Sequence, residues 1–105
     1  ASASIDRVIY TGAASYAAET TWTAPRSISK LLIKQQAGTA TPFRISFTAG
    51  DNIGASGTTP FRFFDLALSS TISFDLIQLQ KGSNVYLSCN LTGAVTPLNF
   101  AFLYW

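Results

Sequence analysis

Two aspartates on neighbouring candidate strands, Asp65 and Asp75, come nearest to a catalytic pair in this chain. Two carboxylates that face each other across a site can act as general acid and general base, or as acid and nucleophile. The chain has no His, so it lacks the commonest general base and metal ligand. The simpler interpretation is that both aspartates are strand residues and that one pairs with Arg62 or Lys81. We therefore predict a protein that is not an enzyme.

A polar segment from Ala49 to Thr59, A-G-D-N-I-G-A-S-G-T-T, holds the second set of candidate ligands. Asp51 and Asn52 offer oxygen atoms of the kind that Ca²⁺ binds, but two ligands are too few and both residues are common turn formers. One Cys and no His exclude the usual zinc sites. We predict no metal and no cofactor. The segment is predicted to be an exposed loop, mobile unless a partner orders it, with Asp51, Asn52 and Ile53 as a candidate binding loop.

Aromatic residues make up 13% of the chain, and rings that face solvent can stack on the faces of sugar rings. Tyr10, Tyr16, Trp22 and Trp105 are the candidates for such a sugar-binding face. The simpler interpretation is that they belong to the core, where most aromatic residues of a small β protein lie. A glycan therefore enters as the ligand of a second hypothesis.

Charged residues are scarce: they make up 11% of the 105 residues, against about 25% in a typical globular domain. The net charge of +2 is small and the basic residues are scattered, whereas nucleic-acid binding needs a concentrated basic surface. No apolar run approaches the roughly 20 residues of a transmembrane helix. We predict neither nucleic acid nor a membrane as partner. A surface so poor in charge is instead predicted to be covered in part by other protein.

The elements that must position these residues are strands, because hydrophobicity alternates with a period of two along most of the chain. The stretch from Pro60 to Leu79 shows this best, as two Phe-containing runs that meet at Ser69-Ser70-Thr71. Such a short polar link predicts a hairpin or a corner between two sheets. The other candidate strands are Ser4 to Tyr10, Ser15 to Trp22, Ser27 to Gln35, Thr41 to Thr48, Asn84 to Leu91 and Leu98 to Trp105.

About eight short strands separated by turn residues predict an all-β fold: an antiparallel β-sandwich with jelly-roll-like topology, in a single domain over residues 1–105. The Ala-rich segment from Ala13 to Glu19 also resembles a helix start, but the alternation that continues to Trp22 favours a strand. The predicted core contains Phe43, Ile45, Phe47, Phe64, Leu66, Phe74, Leu87 and Phe100.

Polar positions on the candidate strands are predicted to face solvent. Lys30 and Lys34 lie opposite the apolar face of Leu31 and Ile33, and Arg44 and Ser46 alternate with Phe43, Ile45 and Phe47. Cys89 shares a face with Val85, Leu87 and Leu91 and is predicted to be a small buried residue.

The last candidate strand is apolar on both faces, which one sandwich core cannot bury. Phe100, Phe102 and Tyr104 lie on one face, and Ala101, Leu103 and Trp105 on the other. We predict that the second face packs against another subunit together with the N-terminal strand, and that Ile5, Ile9, Leu103 and Trp105 form this interface. The protein is therefore predicted to be a homo-oligomer.

Two stretches follow a pattern of turns and strands that covers roughly Thr23 to Gly93. The first is T-A-P at residues 23–25, followed by I-S-K-L-L-I at 28–33 and A-G-T-A at 37–40; the second is L-Q-K-G-S-N-V-Y-L-S-C at 79–89. This pattern resembles that of small β-sandwich proteins of bacteriophage particles. The resemblance implies a structural subunit of the virion that decorates a capsid or attaches to a tail as an oligomer, and it implies no catalytic residues.

Two hypotheses of function follow from the sequence. The first is a virion protein that oligomerises and docks on a protein lattice, most simply as a capsid decoration subunit. The second is a carbohydrate-binding or adhesin module. A broad, flat and neutral patch would favour the first, whereas a local groove with one or two rings and several amides or carboxylates would favour the second.

Overall fold

Eight β-strands and no helix form the regular secondary structure of the residues that the structure, a computed structural model, describes: 3–12, 15–53, 63–91 and 97–105. The strands are β1 (Ser4–Tyr10), β2 (Thr20–Thr23), β3 (Leu31–Ala37), β4 (Phe43–Ser46), β5 (Phe64–Leu66), β6 (Thr71–Phe74), β7 (Asn84–Cys89) and β8 (Leu98–Tyr104). The predicted all-β fold is confirmed.

The strands pair as one long hairpin that is folded over on itself. β1 pairs with β8, β2 with β7, β3 with β6 and β4 with β5, all antiparallel. Pairing of β3 with β8 and of β4 with β7 then joins them into two four-stranded sheets. Sheet I has the order β1-β8-β3-β6 and sheet II the order β2-β7-β4-β5. This nested pairing is that of a jelly roll, so the predicted sandwich topology is confirmed as well.

The core lies between the two sheets, where alternate residues of each strand point inward. Leu31 and Ile33 of β3 are fully buried, as predicted. Lys34, which follows Ile33 and points to the opposite side of the strand, is exposed. Cys89 is also buried, which confirms its predicted place. The buried core cluster consists of Val8, Tyr10, Trp22, Ala24, Ile28, Leu31, Ile33, Phe43, Ile45, Leu79, Val85, Leu87, Cys89, Leu98, Phe100, Phe102 and Tyr104.

The side of the sandwich between β1 and β2 is closed by a partly buried polar contact. The Trp22 indole Nε1–H donates to Asp6 Oδ2 at 2.8 Å, and the Tyr104 hydroxyl lies 3.2 Å from Asp6 Oδ1. The Trp22 ring packs on Phe102 and Tyr104, with centroids 5.1 and 5.4 Å away. Burial, and after it the Asp6 carboxylate, raises the pKa of Tyr104, so the phenol remains a proton donor.

The opposite side, between β5 and β6, is closed less completely, and here the predicted core is partly wrong. Phe43, Ile45, Leu87 and Phe100 are fully buried. Leu66 and Phe74 are only half-buried, and Phe47 and Phe64 are 40% and 46% exposed. β5 and β6 are edge strands of different sheets, so their inward faces meet at the rim. There Phe47, Phe64 and Phe74 pack edge to face, with centroids 5.2–6.4 Å apart.

The polar link at Ser69-Ser70-Thr71 is a corner and not a hairpin, because β5 lies in sheet II and β6 in sheet I. Ser69 adopts a left-handed backbone conformation with φ 59°, and the Ser70 N–H donates to the Ala67 carbonyl at 3.2 Å. This tight turn carries the chain from one sheet to the other. The strands on both sides are shorter than predicted, and residues 60–62 of that stretch lie outside the described residues.

The strand predicted from Ser15 to Trp22 is wrong in its first half. Ser15 and Tyr16 have φ angles of 58° and 60°, in the left-handed region that interrupts an extended strand. Extended structure begins only at Thr20. The segment before it lies over the outside of sheet II, where the Ala18 carbonyl accepts the hydroxyl of the outward-facing Ser88. The Tyr16 ring lies on Arg44.

Candidate functional site

The outer face of sheet I is open to solvent and carries an apolar row across three strands. Ile5 of β1 is opposite Leu103 of β8, which is in turn opposite Leu32 of β3. Ile5 and Ile9 are 59% and 53% exposed, and Leu32 and Leu103 are half-buried. We call this surface the sheet I face; its outward residues are Ile5, Arg7, Ile9, Leu32, Lys34, Ala101, Leu103 and Trp105.

Trp105 continues the same face beyond the end of β8. Its N–H donates to the Lys30 carbonyl at 3.1 Å and its carbonyl accepts the Ser29 N–H at 2.9 Å, so its backbone is fixed against β3. The Lys30 Nζ lies 4.8 Å from the Trp105 ring centroid, a cation–π contact. The structure thus places the four predicted interface residues, Ile5, Ile9, Leu103 and Trp105, on one face, and their role as an interface stays a prediction.

The charges on the sheet I face are basic. Arg7 and Lys34 flank the small Ala101 in the row next to the apolar one, and both are exposed. Asp75 follows β6 at the far edge, where it accepts a hydrogen bond from the Ser73 hydroxyl at 2.6 Å. The face therefore combines apolar contact area with positive charge.

The outer face of sheet II is covered by the chain itself, around Arg44. Its guanidinium carbon lies 3.7 Å from the Tyr16 ring centroid and 4.1 Å from that of Phe63. Nη1 donates to the Asn52 carbonyl at 3.1 Å, and Nε lies 3.5 Å from Asp65 Oδ1. Arg44 is only 2% exposed, so the prediction of a solvated residue is wrong.

Ser46 was predicted on the same solvated face and is fully buried as well. Ser88 on neighbouring β7 is also buried, and its hydroxyl donates to the Ala18 carbonyl at 2.6 Å. The residues that cover this face are 15–19, 48–53 and Phe63, which together we call the sheet II cover. Strand alternation directs the Ser46 and Ser88 side chains to the outer side of sheet II, and they are buried there because the sheet II cover lies over them.

The candidate binding loop Asp51, Asn52 and Ile53 belongs to this cover. Asn52 is fully buried: its Nδ2 donates to the Tyr86 carbonyl at 2.9 Å and its N–H to Glu19 Oε2 at 3.1 Å. The prediction of an exposed loop is therefore wrong at Asn52, although Ile53 is exposed. Residues 54–59 of the predicted loop lie outside the described residues. In the described part of the chain, no group of three or more His, Cys, Asp or Glu side chains could hold a metal ion.

The two candidate carboxylates occupy strands or turns of different sheets. Asp65 on β5 pairs with Arg44, and Asp75 beside β6 accepts the Ser73 hydroxyl. Arg44 is thus a partner of Asp65. The sequence predicted Arg62 or Lys81 as the partner of one of the two aspartates, and Arg62 lies outside the described residues. Burial raises the pKa of Cys89 to about 12, so the thiol is protonated near neutral pH.

The four aromatic residues considered for sugar binding do not form a common face. Tyr10 and Trp22 are core residues, Tyr16 covers Arg44, and Trp105 lies under Lys30. The structure has a groove elsewhere, on the sheet II side near the start of β7. Its volume is about 500 Å³, and it is lined by Phe47, Ile77, Gln78, Leu79, Ser83, Asn84 and Tyr86.

Sequence reasoning missed this groove because its residues come from three separate segments. One signal was present: Asn84 and Tyr86 alternate with the buried Val85 and Leu87, so they had to face outward. Phe47 lines the groove because it lies at the rim between the two sheets, and the sequence of β4 alone does not indicate this position.

Comparison of the chain with protein-family models, with curated proteins and with solved structures finds no match. Among the described residues, no helix has the length and apolar character needed to cross a membrane.

Proposed function

We propose that this chain is a non-enzymatic structural subunit that assembles with other protein through the sheet I face. The observation that carries the proposal is the contrast between the sheets: sheet II is covered by the chain's own segments, whereas sheet I leaves Ile5 and Ile9 more than half exposed. Contiguous exposed apolar side chains on a soluble domain are typical of interaction sites.

The shape of the face supports a protein partner over a small ligand. It is a sheet surface crossed by a row of aliphatic side chains, with Trp105 at one end. Near the other end, a depression of about 300 Å³ between Arg7, Gln36, Ala37 and Asn99 could receive a side chain of the partner. Aromatic anchors and filled pockets carry much of the energy in protein interfaces.

The charges favour a second copy of this chain as the partner, in a head-to-tail arrangement. The sheet I face presents Arg7 and Lys34, while Glu19 and Asp51 lie in the sheet II cover and Asp65 lies beside it, next to the buried Arg44. Two sheet I faces would oppose like charges, whereas a sheet I face against a sheet II cover pairs opposite charges. Contacts of this heterologous kind form a ring when the rotation between subunits closes, and we propose such a closed ring.

The biological setting we propose is the virus particle of a bacteriophage, with the ring docked on a capsid or tail as a decoration subunit. The turn and strand pattern of residues 23–93 supports this setting, and jelly rolls occur in viral capsid proteins. The same fold also occurs in lectins and cupins, so the fold agrees with this setting but is not specific to it.

The test compares two variants by light scattering coupled to size-exclusion chromatography. Ile5→Arg places a charge in the apolar row and is expected to give a monomer. Leu68→Arg is the matched control, since Leu68 is 56% exposed in the turn after β5 and lies on neither face; this variant is expected to assemble like the parent. A parent protein that is monomeric at micromolar concentration would contradict the proposal.

A further inference from the structure

We propose that the groove beside β7 binds a neutral carbohydrate, with a pyranose ring stacked on Phe47 and its hydroxyl groups bonded to Gln78, Asn84 and Tyr86. None of the described residues that line this ligand site belongs to the sheet I face or to the sheet II cover, the two surfaces proposed to meet in assembly. The volume of about 500 Å³ lies within the range of small-ligand sites and fits one or two sugar rings.

The apolar wall of the groove is a supported aromatic ring. Phe47 is partly exposed, and the Phe74 and Phe64 rings pack against it edge to face at 5.4 and 6.4 Å. These contacts fix the ring without covering it completely. An exposed ring that its neighbours hold in place offers a flat surface for the C–H groups of a pyranose, at little cost in side-chain entropy.

The polar side of the groove is also arranged before a ligand arrives. Asn84 Oδ1 accepts the Thr23 hydroxyl at 2.8 Å, and Asn84 Nδ2 donates to the Tyr86 hydroxyl oxygen at 3.3 Å. The Tyr86 O–H proton is then available to an acceptor in the groove. Within the described part of the chain, the amide of Gln78 has no hydrogen-bond partner, so it can both donate and accept.

The backbone beneath these side chains is tied to the rest of the fold. Leu79 and Ile28 form an isolated β-bridge, and the Ile77 N–H donates to the Ser29 carbonyl at 3.0 Å. The Ser83 carbonyl accepts the Ala24 N–H at 2.8 Å. The groove therefore needs little rearrangement to bind, which limits the ordering cost of association.

The chemistry of the lining selects the ligand class. Among the residues that the structure describes, those around the groove are apolar, aromatic, amide or hydroxyl, and none of these carries a charge. A lining without charge disfavours phosphorylated or acidic ligands, which would lose hydration without a counter-charge. A neutral sugar matches it, because it offers C–H faces to the ring and hydroxyl groups that both donate and accept.

The test is a titration followed by ¹⁵N–¹H NMR, with cellobiose, lactose, mannobiose and chitobiose as the probes. At least one disaccharide is expected to shift the side-chain amide signals of Gln78 and Asn84 in a saturable manner. Gln78→Ala and Tyr86→Phe are each expected to weaken binding at least about fivefold, because each removes one hydrogen-bonding group. Gln36→Ala, which removes an exposed amide on the sheet I side, is expected to leave binding unchanged.

The proposal would be overturned if none of the four sugars shifted these signals, or if both groove variants bound as tightly as the parent. Gln78 is exposed, so its replacement leaves the core intact, and unchanged backbone signals in sheet I would verify this. The charge variant Ile5→Arg is expected to bind sugar normally. Loss of assembly and loss of sugar binding are thus separate results, and failure of one proposal leaves the other standing.

Discussion

The outer faces of the two sheets are built in the same way, but one is open to solvent and the other is covered. Both consist of the outward residues of antiparallel strands, and both have a basic residue near the centre, Lys34 on β3 and Arg44 on β4. Lys34 is exposed beside the open apolar row of sheet I. Arg44 is enclosed by two aromatic rings, a carbonyl and a carboxylate that the chain supplies itself.

The difference shows that strand alternation determines which way a side chain points but not what it meets. The connections before β2 and after β4 return across sheet II, and Glu19 joins them by accepting the N–H groups of Gly50 and Asn52 at 2.7 and 3.1 Å. No such segment of the described chain lies across Ile5 and Ile9. The described chain thus covers the outer face of sheet II and leaves Ile5 and Ile9 on sheet I exposed.

The largest expected effect on stability is that of replacing Arg44, with the replacement of Lys34 as its control. Arg44→Ala should lower the free energy of unfolding by about 3 kcal/mol, because it leaves a cavity between two rings and removes the donor to the Asn52 carbonyl. Lys34→Ala, its counterpart on the open face, should change stability by less than about 0.5 kcal/mol. Urea unfolding of both variants measures the difference. Equal losses would mean that Arg44 is not enclosed as described.

Replacing one asparagine on each sheet should give the same contrast in stability, with a smaller loss. Asn52→Ala should cost about 1–3 kcal/mol, since the Tyr86 carbonyl loses its side-chain donor in a buried place. Asn99→Ala, opposite Ile9 on the outer side of β8, should cost less than about 1 kcal/mol. Thermal unfolding ranks the two variants, and the reverse order would show that the loop after β4 is not packed.

The sandwich, its topology and half of its core follow from the sequence, because they depend on local alternation and turn residues. Leu31, Ile33 and Cys89 were predicted buried on these grounds and are. Arg44, Asn52 and Phe64 were not predictable in this way. The first two depend on segments distant in the chain that fold over sheet II, and the third depends on β5 lying at an edge. The groove was missed for the same reason, since it joins three segments.

Alkaline pH should destabilise the protein through groups at and beneath the covered face. Burial raises the pKa of Cys89 from 9.0 to about 12, and burial, then Asp65, raises that of Tyr16. The folded state keeps these protons longer than the unfolded state does. The contribution of the Cys89 proton to the free energy of unfolding is therefore fully present below pH 9.0, and it is lost as the pH rises toward about 12.

The variant Cys89→Ala isolates the thiol. Its unfolding free energy should fall less steeply over the same range, by up to about 1.4 kcal/mol per pH unit, because one proton less is linked to folding. Urea unfolding at a series of pH values provides both slopes. Identical slopes would mean that the thiol ionises freely in the folded protein.

The smallest expected effect is that of salt on self-association, and it distinguishes the two ways in which copies could meet. If the basic sheet I face meets the acidic sheet II cover, raising the salt concentration from about 0.05 to 0.5 M should weaken association severalfold. Sedimentation velocity at a fixed protein concentration measures this. Stronger association at high salt would indicate that two basic faces oppose each other, and would contradict the head-to-tail arrangement.

Hydroxyl-radical footprinting below and above the concentration of assembly tests the central claim most directly, because it reports the exposure of individual side chains. Oxidation of Ile5, Ile9, Leu103 and Trp105 is expected to fall several-fold on assembly, whereas Leu68 and the 97% exposed Leu76 should react equally at both concentrations. Protection that is absent from these four residues, or that appears equally at Leu68 and Leu76, would contradict the claim that the open face of sheet I is where this protein meets its partner.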